Sequence, residues 1–243
     1  MSDFDFTGMF GPAYLELFAG ALEEKADAEA DLAWRLLGLE PGMEVLDLAC
    51  GHGRIANRLA ARGCRVTGLD VTPVFLDRAR RDAAARGVAV EYVEGDMRSL
   101  PWEGRFDRVL NWFTAYGYFD DEDNRRVLAE VARALRPGGR FAVELNNRDW
   151  VLRHFEPVSY LEIDGVLMID RRRLDPLTGR SVSERLLVRD GEVTRTPYFV
   201  RMFTFPELRD WLRAAGFGTV SGYGEDGEPL TIDSRRMITV AER

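Results

Sequence analysis

The sequence predicts an α/β fold, a mostly parallel β-sheet covered by helices, with an antiparallel β meander inserted into it. Three observations point there. Between residues 45 and 145, short apolar runs alternate with segments of helical period, as in a sheet buried on both faces. A glycine-rich turn, Ala49-Cys50-Gly51-His52-Gly53, joins the first apolar run to the helix after it. From residue 159 to 203 the rhythm changes, and strand-like segments are separated by Asp164-Gly165, Thr178-Gly179 and Asp190-Gly191, dipeptides that signal hairpins.

The elements follow in order. Residues 13–37 carry Leu15, Leu17, Phe18, Leu22, Ala26, Ala30, Ala33, Trp34 and Leu37 at helical spacing. A break is expected near Gly20, and Gly38, Pro41 and Gly42 end the helix. Val45-Leu46-Asp47-Leu48 is a strand and residues 55–61 a helix. Residues 65–69 form the second strand and 73–85 a helix, with Pro73 tolerated in its first turn. Strands at 88–93 and 106–111 precede a helix at 124–135, which Pro137-Gly138-Gly139 stops, and residues 140–145 are the fifth strand. The meander comes next, with three or four strands. Residues 205–215 are a helix opened by Pro206 and capped by Gly216. Strands at 217–223 and 236–241 return to the main sheet. The divisions expected are 1–148 for the N-terminal helices and core, 149–204 for the insertion, and 205–243 for the closing helix and strands.

Composition removes several function classes. At 46% apolar and 30% charged, the 243 residues are ordinary for a soluble globular protein, which excludes disordered and fibrous classes. No apolar run approaches the roughly 18 residues of a membrane span. Residues 1–10 lack a basic stretch followed by an apolar one, so no secretion leader is expected. Thirty-three basic against 41 acidic residues give a net charge of -8, and the nucleic-acid backbone repels an acidic surface. Two cysteines, Cys50 and Cys64, and two histidines occur at no metal-ligand spacing. The expectation is a reduced, cytoplasmic protein with no metal, no nucleic-acid partner and no membrane partner.

A strand, a glycine-rich turn and a helix together make a nucleotide site, because the helix N-terminus offers free N–H groups and glycine lets a ligand approach the backbone. Gly51-His52-Gly53-Arg54-Ile55-Ala56 fits G-x-G-x-x-A, and Asp70 ends the next strand, where a carboxylate accepts from both ribose hydroxyls. Two cofactors suit such an acid. A short-chain nicotinamide dehydrogenase needs Tyr and Lys four apart, but the only lysine, Lys25, precedes the motif. Asp47, an acid at the start of the turn, is unhelpful beside a pyrophosphate and suits a cofactor with a positive charge or an amine. S-adenosylmethionine has both.

At these residues the chain resembles a known family. Val45-Leu46-Asp47-Leu48-Ala49-Cys50-Gly51-His52-Gly53 looks like the first motif of class I S-adenosylmethionine-dependent methyltransferases. Gly68-Leu69-Asp70-Val71-Thr72-Pro73 resembles their ribose-binding motif, and Glu94-Gly95-Asp96-Met97-Arg98-Ser99-Leu100-Pro101 their adenine-binding loop. Phe106-Asp107-Arg108-Val109-Leu110-Asn111-Trp112-Phe113 resembles the fourth motif, and Leu135-Arg136-Pro137-Gly138-Gly139-Arg140-Phe141 the turn into the fifth strand.

The resemblance implies a Rossmann-like sheet of seven strands, mostly parallel, with helices on both faces. It also implies roles. Gly51 and Gly53, with Ala49 in the same turn, let the methionine part of the cofactor lie over the first strand. Asp47 faces its amino group, Asp70 with Val71 holds the ribose, and Asp96 and the Met97 N–H meet the adenine. Asn111 and Phe113 belong to the fourth motif, with Asn111 near the amino group. Tyr14 resembles a tyrosine that closes over the cofactor, or is a buried helix residue. The family often has Gly where this chain has Ala49. Alanine disfavours positive φ, so the turn is expected to hold Ala49 in an ordinary region. His52 occupies a variable position at the solvent or cofactor edge.

The acceptor end is read from the segments after strands four and five. Trp112 to Phe119 is rich in aromatics and lacks the Asn/Asp-Pro-Pro-aromatic signature of enzymes that methylate nucleobase amino groups. Tyr116 and Tyr118 can line a pocket with hydroxyls on apolar bodies, whereas Phe119 reads as packing. Asn146, Arg148 and His154 follow strand five as substrate contacts or base, with Tyr118 and His154 the two candidate bases. Arg171-Arg172-Arg173 reads as a lure for an acidic substrate or as a solvated strand face. The meander should roof the strand C-termini, where open α/β sheets bind ligands, and so close a small-molecule pocket.

The function expected is methyl transfer from S-adenosylmethionine, with S-adenosylhomocysteine as product, to N or O of a small acceptor by in-line displacement. The alternatives are a non-catalytic adenosyl-cofactor binding module, an RNA methyltransferase and a nicotinamide oxidoreductase. A monomer or a homodimer fits, the dimer through pairing of meander edge strands.

Overall fold

Alternating apolar positions and glycine stops mark out the elements of the computed structural model, which describes residues 9–243. Most of the stretch 1–10, read above for a leader, lies outside the described residues. Helix α1 (Pro12–Leu37) leads to β1 (Glu44–Leu48), α2 (Ala56–Ala61), β2 (Arg65–Asp70), α3 (Pro73–Arg86) and β3 (Val90–Glu94). Then come β4 (Phe106–Asn111), α4 (Asp121–Ala134), β5 (Leu135–Asn146) and α5 (Arg148–Arg153). Strands β6 (Val158–Ile163), β7 (Val166–Asp175), β8 (Arg180–Arg189) and β9 (Glu192–Arg201) form the insertion. Helix α6 (Phe205–Ala214), β10 (Val220–Tyr223) and β11 (Arg236–Glu242) close the fold.

The main sheet has the order β10-β11-β5-β4-β1-β2-β3. Neighbours among β1 to β5 are parallel, and β11 runs antiparallel to both β5 and β10. The chain builds outward from β1 on one side, then returns to place β4 on the other. That reversal opens a crevice at the C-terminal ends of β1 and β4, the usual ligand site of such sheets. Strand period two divides the core between two faces. Leu46, Leu48, Val109 and Phe141 pack with Val127, Leu128, Leu208 and Leu212 of α4 and α6. Val45, Val66, Leu110 and Ala142 pack with Ala33, Leu37, Leu59 and Leu76 of α1, α2 and α3.

The four inserted strands make a second sheet in simple antiparallel order. Asp164-Gly165 and Asp190-Gly191 both place their two residues at positive φ (49° and 77°, 52° and 82°), the geometry that matches strand twist in two-residue hairpins. The sheet is tied to the core below it. Asp121 receives Arg180 and Arg201 at 3.2 and 3.3 Å, and the Arg201 N–H donates to the Gly117 carbonyl.

Some elements differ from the sequence reading. Helix α1 runs unbroken through Gly20, because an exposed glycine costs only about 1 kcal/mol and buried Leu17 and Leu22 flank it. Helix α4 starts earlier than residue 124, since the Asp120 side chain caps it by accepting from the Asp123 N–H. Pro137-Gly138-Gly139 lies within β5, where the pairing with β4 shifts register. Helix α5 was not foreseen; Asn147 caps it through the Asp149 N–H.

Candidate active site

A cavity of about 840 Å³ lies between the C-terminal ends of the parallel strands and the underside of the inserted sheet. That is near the upper end of small-ligand sites, about 300–1,000 Å³, with room for two molecules side by side.

One end is built from the glycine-rich turn. Asp47 reaches the cavity floor from β1, only 3% exposed, and its Oδ2 accepts the Ala56 N–H at 3.1 Å. Burial pushes its carboxyl up to about 7, with Arg54 pulling the other way. Asp70, at the end of β2, accepts from the Gly51 N–H at 2.8 Å and the Thr72 N–H at 2.9 Å, so one buried carboxylate fixes two adjoining turns. Burial raises its pKa against those bonds. Gly51 borders the cavity at φ 56°.

Ala49 corrects the sequence expectation. It adopts φ 59°, the left-handed region that alanine disfavours by about 1–2 kcal/mol. The neighbouring backbone enforces it: the Cys50 N–H bonds the Leu69 carbonyl, and the Gly53 N–H bonds Cys50. Gly53 is absent from the cavity wall. A Cβ there would fall 2.1 Å from the Tyr92 hydroxyl, so this glycine makes room for a tyrosine bonded to Asn57. His52 lines the cavity, and burial lowers its pKa to about 4, leaving it neutral.

Other predicted cofactor residues gather around this end. Val71 and Phe113 stand in the wall with 41% and 44% of their surface open, unusual for large apolar side chains inside a closed fold. Asp96 and Met97 join them from the loop after β3, and Arg98 grips both oxygens of Asp96 at 2.6–3.1 Å. Tyr14 closes the side from α1, with its ring 4.9 Å from Phe18 and 5.7 Å from Phe75.

Besides Gly53, three predicted residues lie elsewhere. Asn111 is fully buried and donates to the Leu48 carbonyl at 2.8 Å, joining β4 to β1. Tyr116 is also fully buried, bonded to the Asn124 carbonyl at 2.9 Å and stacked on Phe203. Arg148 begins α5 outside the cavity wall. The remaining three are in the wall. Burial pushes the Tyr118 phenol well above its ordinary value. His154 sits at the exposed rim, stacked on Trp150 at 4.3 Å, with Nδ1 2.9 Å from the Trp150 carbonyl. Asn146 is held by Arg236.

Sequence reasoning missed a buried pair, Glu144 of β5 and Arg236 of β11, brought together by the β5–β11 register. Glu144 accepts the Phe113 N–H at 2.6 Å, its carbonyl accepts the Thr114 N–H at 3.0 Å, and Arg236 donates to the Thr114 hydroxyl at 2.7 Å. These bonds hold Phe113 and Thr114 in consecutive left-handed conformations, φ 63° and 55°. The lid residues Asp170 and Arg185 were missed too, and Arg172 was read only as part of the Arg171–Arg173 run. Strand alternation divides that run, sending Arg172 inward and Arg171 and Arg173 outward. Among the described residues no cluster of His, Cys, Asp and Glu is placed to hold a metal, and no helix is long and apolar enough to cross a membrane.

Comparison with known proteins adds to this geometry. Residues 45–139 match a family model described as a methyltransferase domain. The chain is 34% identical over 197 residues to a demethylmenaquinone methyltransferase of Thermus thermophilus, covering 77% of this chain and 82% of that one. It is 30% identical over 217 residues to a cypemycin N-terminal methyltransferase of a Streptomyces species, covering 83% and 84%. Among solved structures, an S-adenosylmethionine-dependent methyltransferase from Clostridium acetobutylicum superposes with a TM-score of 0.76 at 16% identity, covering 93% and 97%.

Proposed function

The chain belongs to the class I S-adenosylmethionine-dependent methyltransferases, and from that premise we propose that it methylates a nitrogen or oxygen of a small-molecule acceptor. The observation that carries this reading is the roofed cavity. The lid sheet and the strand ends line one chamber continuous with the cofactor end, a shape and volume that suit a small acceptor.

The residues at the turn fit the cofactor. Asp47 is a buried carboxyl lacking a cationic hydrogen-bond partner among the described residues, as an amino group beside it would need. Asp70 keeps lone pairs for ribose hydroxyls beyond its two backbone bonds. The open faces of Val71 and Phe113 would cover apolar parts, and Asp96 with the Met97 N–H would receive the adenine. When bound there, S-adenosylmethionine supplies an electrophilic methyl group on a cationic sulfur.

The protein's contribution is mostly positional. Holding a nucleophile and an electrophilic carbon in line converts a bimolecular encounter into a unimolecular one. Tyr118 is a poor general base near neutrality because burial raises its pKa, and His154 lies at the rim. An acceptor that arrives with its lone pair already available needs neither. The two named relatives, a demethylmenaquinone methyltransferase and a cypemycin N-terminal methyltransferase, differ in acceptor, so the acceptor is read from the cavity.

Calorimetric titration with S-adenosylhomocysteine and, separately, NADH tests the cofactor site on wild type and Asp70→Ala. S-adenosylhomocysteine should bind, and the substitution should weaken it by about 1 kcal/mol or more, the worth of lost hydrogen bonds. NADH binding without S-adenosylhomocysteine binding would overturn the reading. An acceptor screen by S-adenosylhomocysteine release then identifies the atom methylated.

A further inference from the structure

The lid carries an imbalance of charge on its underside. Strand register sets Asp170 directly opposite Arg185, and Arg172 opposite Ser183, with all four side chains facing the cavity. Asp170 is 3% exposed and accepts from Arg185 Nε at 2.8 Å, Arg185 Nη2 at 2.9 Å and Arg172 Nη2 at 3.2 Å. One carboxylate therefore serves two guanidinium groups. Among the described residues no hydrogen-bond acceptor is placed on Arg185 Nη1, or on Arg172 Nε and Nη1.

The other arginines of the wall are balanced. Arg54 pairs with Glu29 and Arg236 with Glu144. Glu156 is at the exposed rim, in water. At the opposite end, Asp47 and Asp70 are buried carboxyls with no guanidinium hydrogen-bonded to them among the described residues, where a cationic cofactor belongs, while Asp96 is paired with Arg98. The chamber is thus polarised, acidic at the glycine-rich turn and basic under the lid. Beside the arginines on the lid stand Met168, Tyr198 and Val200, with Tyr118 in the same wall and the Arg185 guanidinium 5.5 Å from the Tyr198 ring, an apolar and aromatic belt. A guanidinium in such a place is worth most toward a charged, planar acceptor that it meets with two N–H groups.

We infer that the methyl acceptor is a small aromatic or apolar molecule bearing an oxyanion, a carboxylate or a phosphate, which docks on Arg172 and Arg185 of the lid. The inference rests on the methyltransferase reading above and adds the substrate class. Asp170 is the positioning residue that aims both guanidinium groups. The arrangement also sets direction, since an anion anchored under the lid extends its other end across the belt toward the cofactor.

The test uses the full chain loaded with S-adenosylhomocysteine and three probes of one size: 4-hydroxybenzoate, phenyl phosphate and the neutral 4-hydroxybenzamide. Binding of S-adenosylhomocysteine itself is measured first on wild type, Arg172→Gln and Arg185→Gln, which reports the methyltransferase site and the folding of both variants. Failure there in wild type counts against that reading rather than this one. With it bound, at least one anionic probe should bind about tenfold or more tighter than the amide, as expected for charge-assisted hydrogen bonds. Preference for 4-hydroxybenzoate or for phenyl phosphate assigns the oxyanion. Either substitution that retains S-adenosylhomocysteine affinity should abolish the preference. Equal binding of amide and anions, binding of no probe, or a preference untouched by both substitutions overturns the inference.

Discussion

Replacing Asp47 by Asn separates the stability of the empty site from its affinity for a cation. The Asp47 carboxyl is enclosed at the end of β1 and pushed up to about 7 by burial, against an ordinary 3.8. Keeping it ionised above neutrality therefore costs the unliganded fold about 4 kcal/mol. Between pH 3.8 and 7 the folded state holds a proton that the unfolded state has lost, so stability falls as pH rises through this window and levels off above it. Asparagine mimics the protonated acid and still accepts the Ala56 N–H. In urea denaturation the difference between Asp47→Asn and wild type should move in favour of the variant by about 2 kcal/mol between pH 5.5 and 8. Taking the difference removes every other titrating group. Calorimetry should show the opposite sign for function. Wild-type affinity for S-adenosylhomocysteine should fall by up to about tenfold per pH unit below 7, because binding must expel the proton, while the variant binds weakly and without this slope. A stability difference that does not change with pH, or unchanged affinity in the variant, would refute the reasoning.

Three further outcomes are expected. Ala49→Gly removes a left-handed alanine worth about 1–2 kcal/mol and adds chain entropy of about 0.4–1, so it should stabilise by up to about 1.5 kcal/mol; a clear loss in urea midpoint contradicts this. Glu144→Gln withdraws the carboxylate from the buried Arg236 and should cost about 3 kcal/mol, part of it recovered in the double variant with Arg236→Met; a cost within about 0.5 kcal/mol would show that the pair does not hold the Phe113–Thr114 turn. Tyr118→Phe should leave the methyl-transfer rate within a few-fold, because a phenol raised by burial is no base at neutral pH; a loss of two orders of magnitude or more would restore it as one.

Periodicity exposed the framework because each strand of the main sheet is buried by its neighbours in a way that leaves a mark on the chain. Val45 to Leu48 reads as an apolar run for that reason, and the Asp-Gly pairs announced the lid hairpins because their residues suit positive φ. Local reasoning failed where a long-range partner decided the outcome. Tyr116 and Tyr118 are two residues apart and indistinguishable by type, yet one bonds Asn124 within the core and the other faces the cavity. Ala49 was expected in an ordinary conformation because residue propensity was weighed without the Cys50–Leu69 bond that overrides it. Glu144 and Arg236 carry nothing in the sequence that sets them apart from other strand charges. Only the pairing of β5 with β11 reveals that they neutralise each other beneath the loop.

The position of β11 has a consequence for how this enzyme comes into being. It lies inside the sheet, between β5 and β10, although it is made after every other strand. Domains emerging during synthesis acquire structure from the N-terminal side, and contacts between distant segments form late. The cofactor turn, the parallel strands and the lid hairpins can all assemble from chain already made. Arg236 cannot, and the Phe113–Thr114 turn receives its last support only when β11 slots into the gap. An incomplete chain would thus present a glycine-rich turn without a finished acceptor chamber. In that sense β11 is the keystone of the acceptor chamber, the strand whose pairing with β5 completes the wall.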